Sequence, residues 1–386
     1  MDDNNRRYHT IDHLRATMIS IVMFGHALLP YTTIPRSFKD PQTHIGFDVV
    51  TIFLYNFAMP AFFVTAGFST ALIYGRKGPR GLAQNRLMRI FVPLLVAYIV
   101  LSPLTTAAYR FAKQAALTGS LQVGLDEVLL GEWIRWGNTY HLWFLVALLL
   151  YTAMALGIRW GIVHFPGDAA GRIRSASRSF LISRWRSTLL TLVISSMMIP
   201  AYVIYGADAG TLPGQFALFT FFLFGWSLYL HRDLLPTLQD RPWRPIIVAL
   251  VVTPLAVWSA RTRLMSTDEP QLLVGIVAGL SHSVVAAFMS FGLLGVYQAH
   301  LNRESEIGRY VSNASYWIYL VHFPLIIAIA GVFTVTPLPA ITKYLLTLAI
   351  AVPIVWSTYH FGVRLTPFGG APSAGKPLAA ERQRSV

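Results

Sequence analysis

The chain has no cysteine. Disulfides, thiolate nucleophiles and cysteine-based metal sites are thereby excluded. Charge is also scarce: Asp, Glu, Lys and Arg make up 12% of the 386 residues, against roughly 25% in soluble domains. Acidic residues are the scarcest, 17 against 31 Lys and Arg. No phosphate-binding Gly-rich loop, dinucleotide fingerprint, zinc motif or Gly-x-Ser-x-Gly elbow occurs, and no metal site is expected. There is no internal repeat. What remains is apolar: 54% of the residues are hydrophobic and the mean hydropathy is +0.52. That composition excludes a soluble globular domain. It implies an all-α fold, a polytopic membrane helix bundle of about ten transmembrane helices.

Ten apolar spans fall at roughly 12–31, 45–74, 90–108, 141–158, 188–205, 215–230, 245–260, 271–298, 311–331 and 341–363. The first is too long for a signal-peptide core and lacks a small-residue cleavage site, so it reads as a retained span. The net charge of +14 raises nucleic acid as a partner. The distribution argues against it. With a cytoplasmic N-terminus, 22 Lys and Arg fall in cytoplasmic segments and 8 in outer ones. This is the positive-inside pattern, and it places both termini in the cytoplasm, with the lipid bilayer and not nucleic acid as partner. Residues 1–363 then form one transmembrane domain, and 364–386 a disordered cytoplasmic tail rich in Gly, Pro, Ala and charge. The one long outer loop, Tyr109–Tyr140, contains Leu125–Trp136, which reads as an amphipathic helix lying in the interface. Pro60, Pro93, Pro103, Pro200, Pro254, Pro324 and Pro353 fall within spans. They free backbone groups that a bundle interior must satisfy again, which suggests kinks around a cavity.

Few titratable groups lie at membrane depth, and such groups are costly enough to mark function. Arg15 and His26 occupy the first span. Eleven residues carry them just past three helical turns, so they share a face, roughly 16 Å apart along the axis. Arg15 sits at the cytoplasmic end and suits a phosphate or carboxylate anchor; snorkelling, or pairing with Asp12, serves equally. His26 sits in the outer half and suits a general base; a bundle histidine satisfied by a carbonyl is the alternative. Asp48 is expected at a similar depth on the second span, within reach of His26, where it would fix the imidazole tautomer. A helix cap is its other role. Arg86 and Arg89 share a face at the cytoplasmic mouth of the third span, either for a polyanionic donor or through the positive-inside rule alone. On the outer side Glu132, Trp133 and His141, with His322 in mid-span, are candidates for the glycan side. Packing and the interfacial aromatic belt are their bland readings.

Several patches resemble a known family. Asp12–His26 is similar to the first-span Arg-x10-His motif of the membrane acyltransferase 3 family. Phe62–Phe68, followed by Arg86–Pro93 with its Arg-x2-Arg at Arg86 and Arg89, resembles that family's second- and third-span signatures. His141–Leu145, Phe222–Leu228 and Val311–Leu325 look more like the branch of that family that modifies periplasmic glucans. The patches run in one order from the first span to the ninth. The resemblance implies an enzyme, an O-acyltransferase of the bacterial inner membrane. It implies transfer of an acyl group, succinyl in that branch, from cytoplasmic acyl-CoA to hydroxyls of an osmoregulated periplasmic glucan or other extracytoplasmic glycan. It implies Arg15 and His26 as the essential pair, with Arg86 and Arg89 as the family's Arg-x2-Arg. The depth argument adds Asp48 to His26 as the catalytic centre, and the basic inner end makes Arg15, Arg86 and Arg89 the expected acyl-CoA-binding groups. Acyl-CoA, as succinyl-CoA or acetyl-CoA, would be a co-substrate, with no permanently bound cofactor. O-acetylation of lipopolysaccharide, and transport of an anionic metabolite, are the competing functions.

Overall fold

The computed structural model describes residues 7–134, 136–164, 167–206, 210–266 and 271–365. The tail expected to be disordered falls almost wholly outside these. Among the described residues there is no strand. The helices are α1 (His9–Leu28), α2 (Ile45–Arg86), α3 (Val92–Thr118), α4 (Leu121–Leu129), α5 (Trp143–His164), α6 (Ala169–Ile182), α7 (Arg186–Pro200), α8 (Leu212–Leu230), α9 (Trp243–Met265), α10 (Leu272–His300), α11 (Glu306–Phe333) and α12 (Ala340–Tyr359).

Among the described residues eight segments are long and apolar enough to cross a membrane. One of them, Ile45–Thr118, has 74 residues and would run about 110 Å as one helix, several times the hydrocarbon thickness. It holds two helices, α2 and α3. α2 changes direction at Gly78 (φ 66°, ψ −175°), a conformation open to glycine and closed to residues with a Cβ. Pro79 follows directly. α8, at 19 residues, is not one of the eight and is packed against α2. All ten spans read from the sequence thus fall on helices.

Two of the sequence patches meet at the α2–α8 crossing. A Cβ on Gly67 would lie 1.9 Å from the Phe222 carbonyl oxygen, and one on Gly225 would lie 2.0 Å from that of Val64. Each glycine admits the other helix's backbone, the close approach that small residues permit in membrane bundles.

The ends of the bundle differ in charge. At one end His13 Nδ1 donates to the Leu301 carbonyl at 2.7 Å, joining α1 to the end of α10. Tyr310 on α11 bonds His360, just past α12, at 3.1 Å. Arg159 reaches Tyr74, and Arg178 reaches Asp233, at the same end. α6 lies within the basic Arg159–Arg186 segment and docks here, with Ser177 2.8 Å from His231. The opposite end carries Asp40 and Lys343, both fully buried and 2.9 Å apart. Burial raises the Asp40 carboxyl, and the Lys343 ammonium opposes that rise.

The outer segment departs from expectation. α3 continues to Thr118, so the connection is shorter than Tyr109–Tyr140. The amphipathic helix is α4, Leu121–Leu129, not Leu125–Trp136. Gly131, at φ 76°, takes the left-handed conformation that ends helices, so Glu132 and Trp133 lie beyond it.

Candidate active site

Three histidines converge between α1, α5 and α11. His322 Nδ1 lies 2.8 Å from the Ile318 carbonyl of its own helix. A carbonyl only accepts, so Nδ1 carries the proton and Nε2 of the neutral ring is an acceptor. His26 Nδ1 lies 2.8 Å from that Nε2, so it must donate. The second nitrogen of His26, Nε2, is left with its lone pair. The ring lines a cavity of about 130 Å³. The geometry therefore sets an unprotonated imidazole nitrogen at an apolar cavity, the arrangement of a general base.

The third ring follows from a proline. Pro324 has no N–H, so the Leu320 carbonyl one turn earlier loses its helical donor. His141 Nε2 fills that role at 2.9 Å, and the Tyr319 hydroxyl donates to the His141 carbonyl. His141 Nδ1 is then also an acceptor, and it is buried without a partner. His141 lines the same cavity, together with Tyr55, Trp143, Phe144 and Tyr319. Pro103 acts in the same way: its freed Ile99 carbonyl accepts from Trp136 Nε1 at 3.2 Å. Proline-freed carbonyls are thus met by side chains, and one of them orients an active-site ring.

Nearer the basic end of α1, Arg15 Nη2 donates to Ser312 at 2.5 Å and to Asp12 at 3.3 Å. Arg86 Nη2 donates to Thr70 at 2.5 Å, close enough to Arg15 to feel its charge. The Nε atoms of both arginines are buried and have no partner among the described residues. Guanidinium donors left unspent in this way are the kind of group that binds an anion. Along α1 between Arg15 and the His26 cavity, Met18 and Ile19 are fully buried.

Other expected groups lie elsewhere. Asp48 does not meet His26. Its carboxylate accepts from the Thr33 amide at 2.6 Å, from the Thr33 hydroxyl, and from Arg261 Nε at 2.8 Å. The reason is depth. The α2 residue packed on His26 is Tyr55, with ring centres 6.1 Å apart, and Asp48 lies seven residues, about 10 Å, further out. Arg89 is exposed, whereas Arg86 is half-buried. The Leu87–Phe91 segment is a π turn, whose wider winding carries Arg89 off the face that an α-helix would give it. Glu132 pairs with Arg110 at 3.2 Å, and Trp133 Nε1 donates to the Val128 carbonyl at 2.9 Å. Neither lines the cavity.

His322 was expected mainly to pack, and it is instead the partner that sets the tautomer of His26. One signal for it was in the sequence. Val311–Leu325 carries Ser312 and His322 at nearly the spacing of Arg15 and His26, and α11 runs parallel to α1, so the two pairs meet rung by rung.

The profile of the acyltransferase domain family matches residues 8–360. The chain belongs to the acyltransferase 3 family. It is a membrane O-acyltransferase. The chain is similar to glucans biosynthesis protein C of Salmonella gallinarum, 22% identical over 391 residues and covering 98% of both chains. It is likewise similar to that of Salmonella schwarzengrund, 23% identical over 389 residues with 98% of both covered. No solved structure matches. The acyltransferase 3 match spans the histidine cluster, Arg15, Arg86 and every helix from α1 to α12.

Proposed function

We propose that the protein moves an acyl group, succinyl, from cytoplasmic acyl-CoA to a hydroxyl of a periplasmic glucan, across the bacterial inner membrane. The observation that carries this reading is the Nε2 lone pair of His26, held at an apolar cavity by His322, with Arg15 and Arg86 nearer the basic end of the same helix.

Positive-inside topology sets Arg15 and Arg86 toward the cytoplasm. Their unspent donors suit the diphosphate of the donor. The 16 Å or so from Arg15 to His26 is comparable with an extended pantetheine arm, which would bring the thioester to His26. Met18 and Ile19 must swing aside for that arm to pass. The glycan hydroxyl oxygen attacks the thioester carbonyl carbon while His26 Nε2 takes its proton. His322 Nε2 keeps the acceptor side of the hydrogen bond, which strengthens as His26 becomes imidazolium. The C–S bond then breaks, and the proton on His26 passes to the departing thiolate. His141 Nδ1 accepts a hydrogen bond from a donor in the cavity and so orients the reactants. The similarity to proteins named for glucan biosynthesis supports the acceptor class.

The experiment incubates membranes with radiolabelled succinyl-CoA or acetyl-CoA and a periplasmic glucan. Label is expected in the glucan, with succinyl-CoA preferred, and not with His26→Ala. A normal rate for that variant would overturn the mechanism. Label sealed inside vesicles, with the glucan unmodified, would mean transport.

A further inference from the structure

The basic end contains a cavity of about 540 Å³ that none of the chemistry above uses. Three guanidinium groups line it, each from a different element. Arg7 precedes α1, Arg174 lies on α6, and Arg232 opens the 3-10 segment Arg232–Gln239 after α8. They are distant in sequence and converge only in the fold. The positive-inside rule explains arginines on this face. It does not explain three of them around one concave space.

The remaining walls are mixed: Leu230, Leu235 and Pro236 give an apolar side, and the rest are polar. Tyr8 and Gln298 line the cavity, and Thr10 donates to Gln298 Oε1 at 2.8 Å, which leaves the carboxamide nitrogen as the side chain's donor. One acid, Asp233, also faces in. Arg178 binds it at 2.7 Å and holds its carboxyl below the usual range, so its charge is already met. Arg232 stacks over Tyr229, 5.0 Å from the ring centre.

One carboxylate links the cavity's Arg7 to Arg15. Asp12 binds Arg7 at 2.7 Å and Arg15 at 3.3 Å with its two oxygens.

We propose that this cavity holds the phosphorylated nucleoside end of the acyl donor, with Arg7, Arg174 and Arg232 on its sugar phosphate. The inference rests on acyl-CoA being the donor. A phosphate monoester carries close to two negative charges at neutral pH, and the planar guanidinium matches phosphate oxygens two at a time. The nucleoside then sits in the cavity, the diphosphate at Arg15 and Arg86, and the arm runs along α1 to His26. α6, a helix outside the membrane, becomes part of donor recognition.

The test uses the purified full chain and two donors, acyl-CoA and the matching acyl-pantetheine, which lacks the nucleotide. Arg174→Gln is the first variant, because Arg174 is exposed and its loss leaves the bundle packing intact. Its KM for acyl-CoA should rise tenfold or more, with KM for acyl-pantetheine unchanged. Binding of adenosine 3′,5′-bisphosphate, followed by calorimetry, should weaken in parallel. Arg232→Gln should behave alike. Equal KM values for wild type and variants with acyl-CoA, or equal rises with both donors, would overturn the proposal and leave the donor assignment standing. A wild-type protein that uses neither donor would instead overturn the donor assignment, and the nucleotide site with it.

Discussion

Replacing His322 by Phe tests the histidine relay most directly. Phenylalanine keeps a ring of similar size between His141 and Tyr319, whose centres lie 5.4 and 6.2 Å away. It removes the nitrogen that accepts from His26 Nδ1. In the ground state that bond is neutral to neutral, worth about 0.5–1.5 kcal/mol. In the transition state His26 carries positive charge, and a bond to a charged group is worth about 1.5–3 kcal/mol. The bond is also present in the free enzyme, so only the difference, about 1–1.5 kcal/mol, is lost from kcat/KM, and a fall of roughly five- to tenfold is expected. Removing the base itself with His26→Ala costs more, about 10²–10⁴-fold. His322→Gln offers a carbonyl oxygen to the same Nδ1–H and should recover part of the rate. The assay is label transfer to glucan by purified protein, with melting temperature as the folding control. Full activity in His322→Phe would refute the relay. Loss equal to that of His26→Ala, with no recovery in His322→Gln, would make His322 a proton-transfer group in its own right.

Other expectations concern support rather than chemistry. Lys343→Met leaves Asp40 fully buried without its cation, which should cost about 3–5 kcal/mol; adding Asp40→Asn should restore much of the melting temperature, and failure to do so would mean that the pair is not the cause. Gly225→Ala drives a methyl into the Val64 carbonyl region, and overpacking of this kind costs about 1–3 kcal/mol or more. A melting temperature equal to wild type would show that α2 and α8 can part without cost. Pro324→Ala returns an N–H to compete with His141 for the Leu320 carbonyl. Transfer should slow while the melting temperature holds or rises, and an unchanged rate would remove the proline from the account of the site.

The bundle was legible because its cause is local. Backbone groups in hydrocarbon must be satisfied within a helix, so apolar run length alone located every span, and the count of Lys and Arg by segment told one end from the other. Arg15 and His26 were legible for a related reason. Both lie on one helix, where spacing fixes direction and distance. The small residues of Phe62–Phe68 likewise announced a close contact, although not that Gly225 would supply its other half.

Partnership between helices was not legible. Asp48 and His26 were matched by assuming equal depth, and a seven-residue offset between α1 and α2 gave Asp48 to Arg261, which is 213 positions away, and His26 to His322, which is 296 positions away. The exposure of Arg89 was not legible either, because a π turn winds differently from an α turn, and nothing in its own side chain shows that. The sequence by itself determined which groups lie in the membrane and on which helix, since those follow from the cost of exposing backbone and charge to lipid. Tertiary structure alone decided the tautomers of the three rings, the use of the Pro324-freed carbonyl, and the meeting of Arg7, Arg174 and Arg232. Each depends on the axial offset and rotation of one helix against another, which packing sets and no single segment encodes.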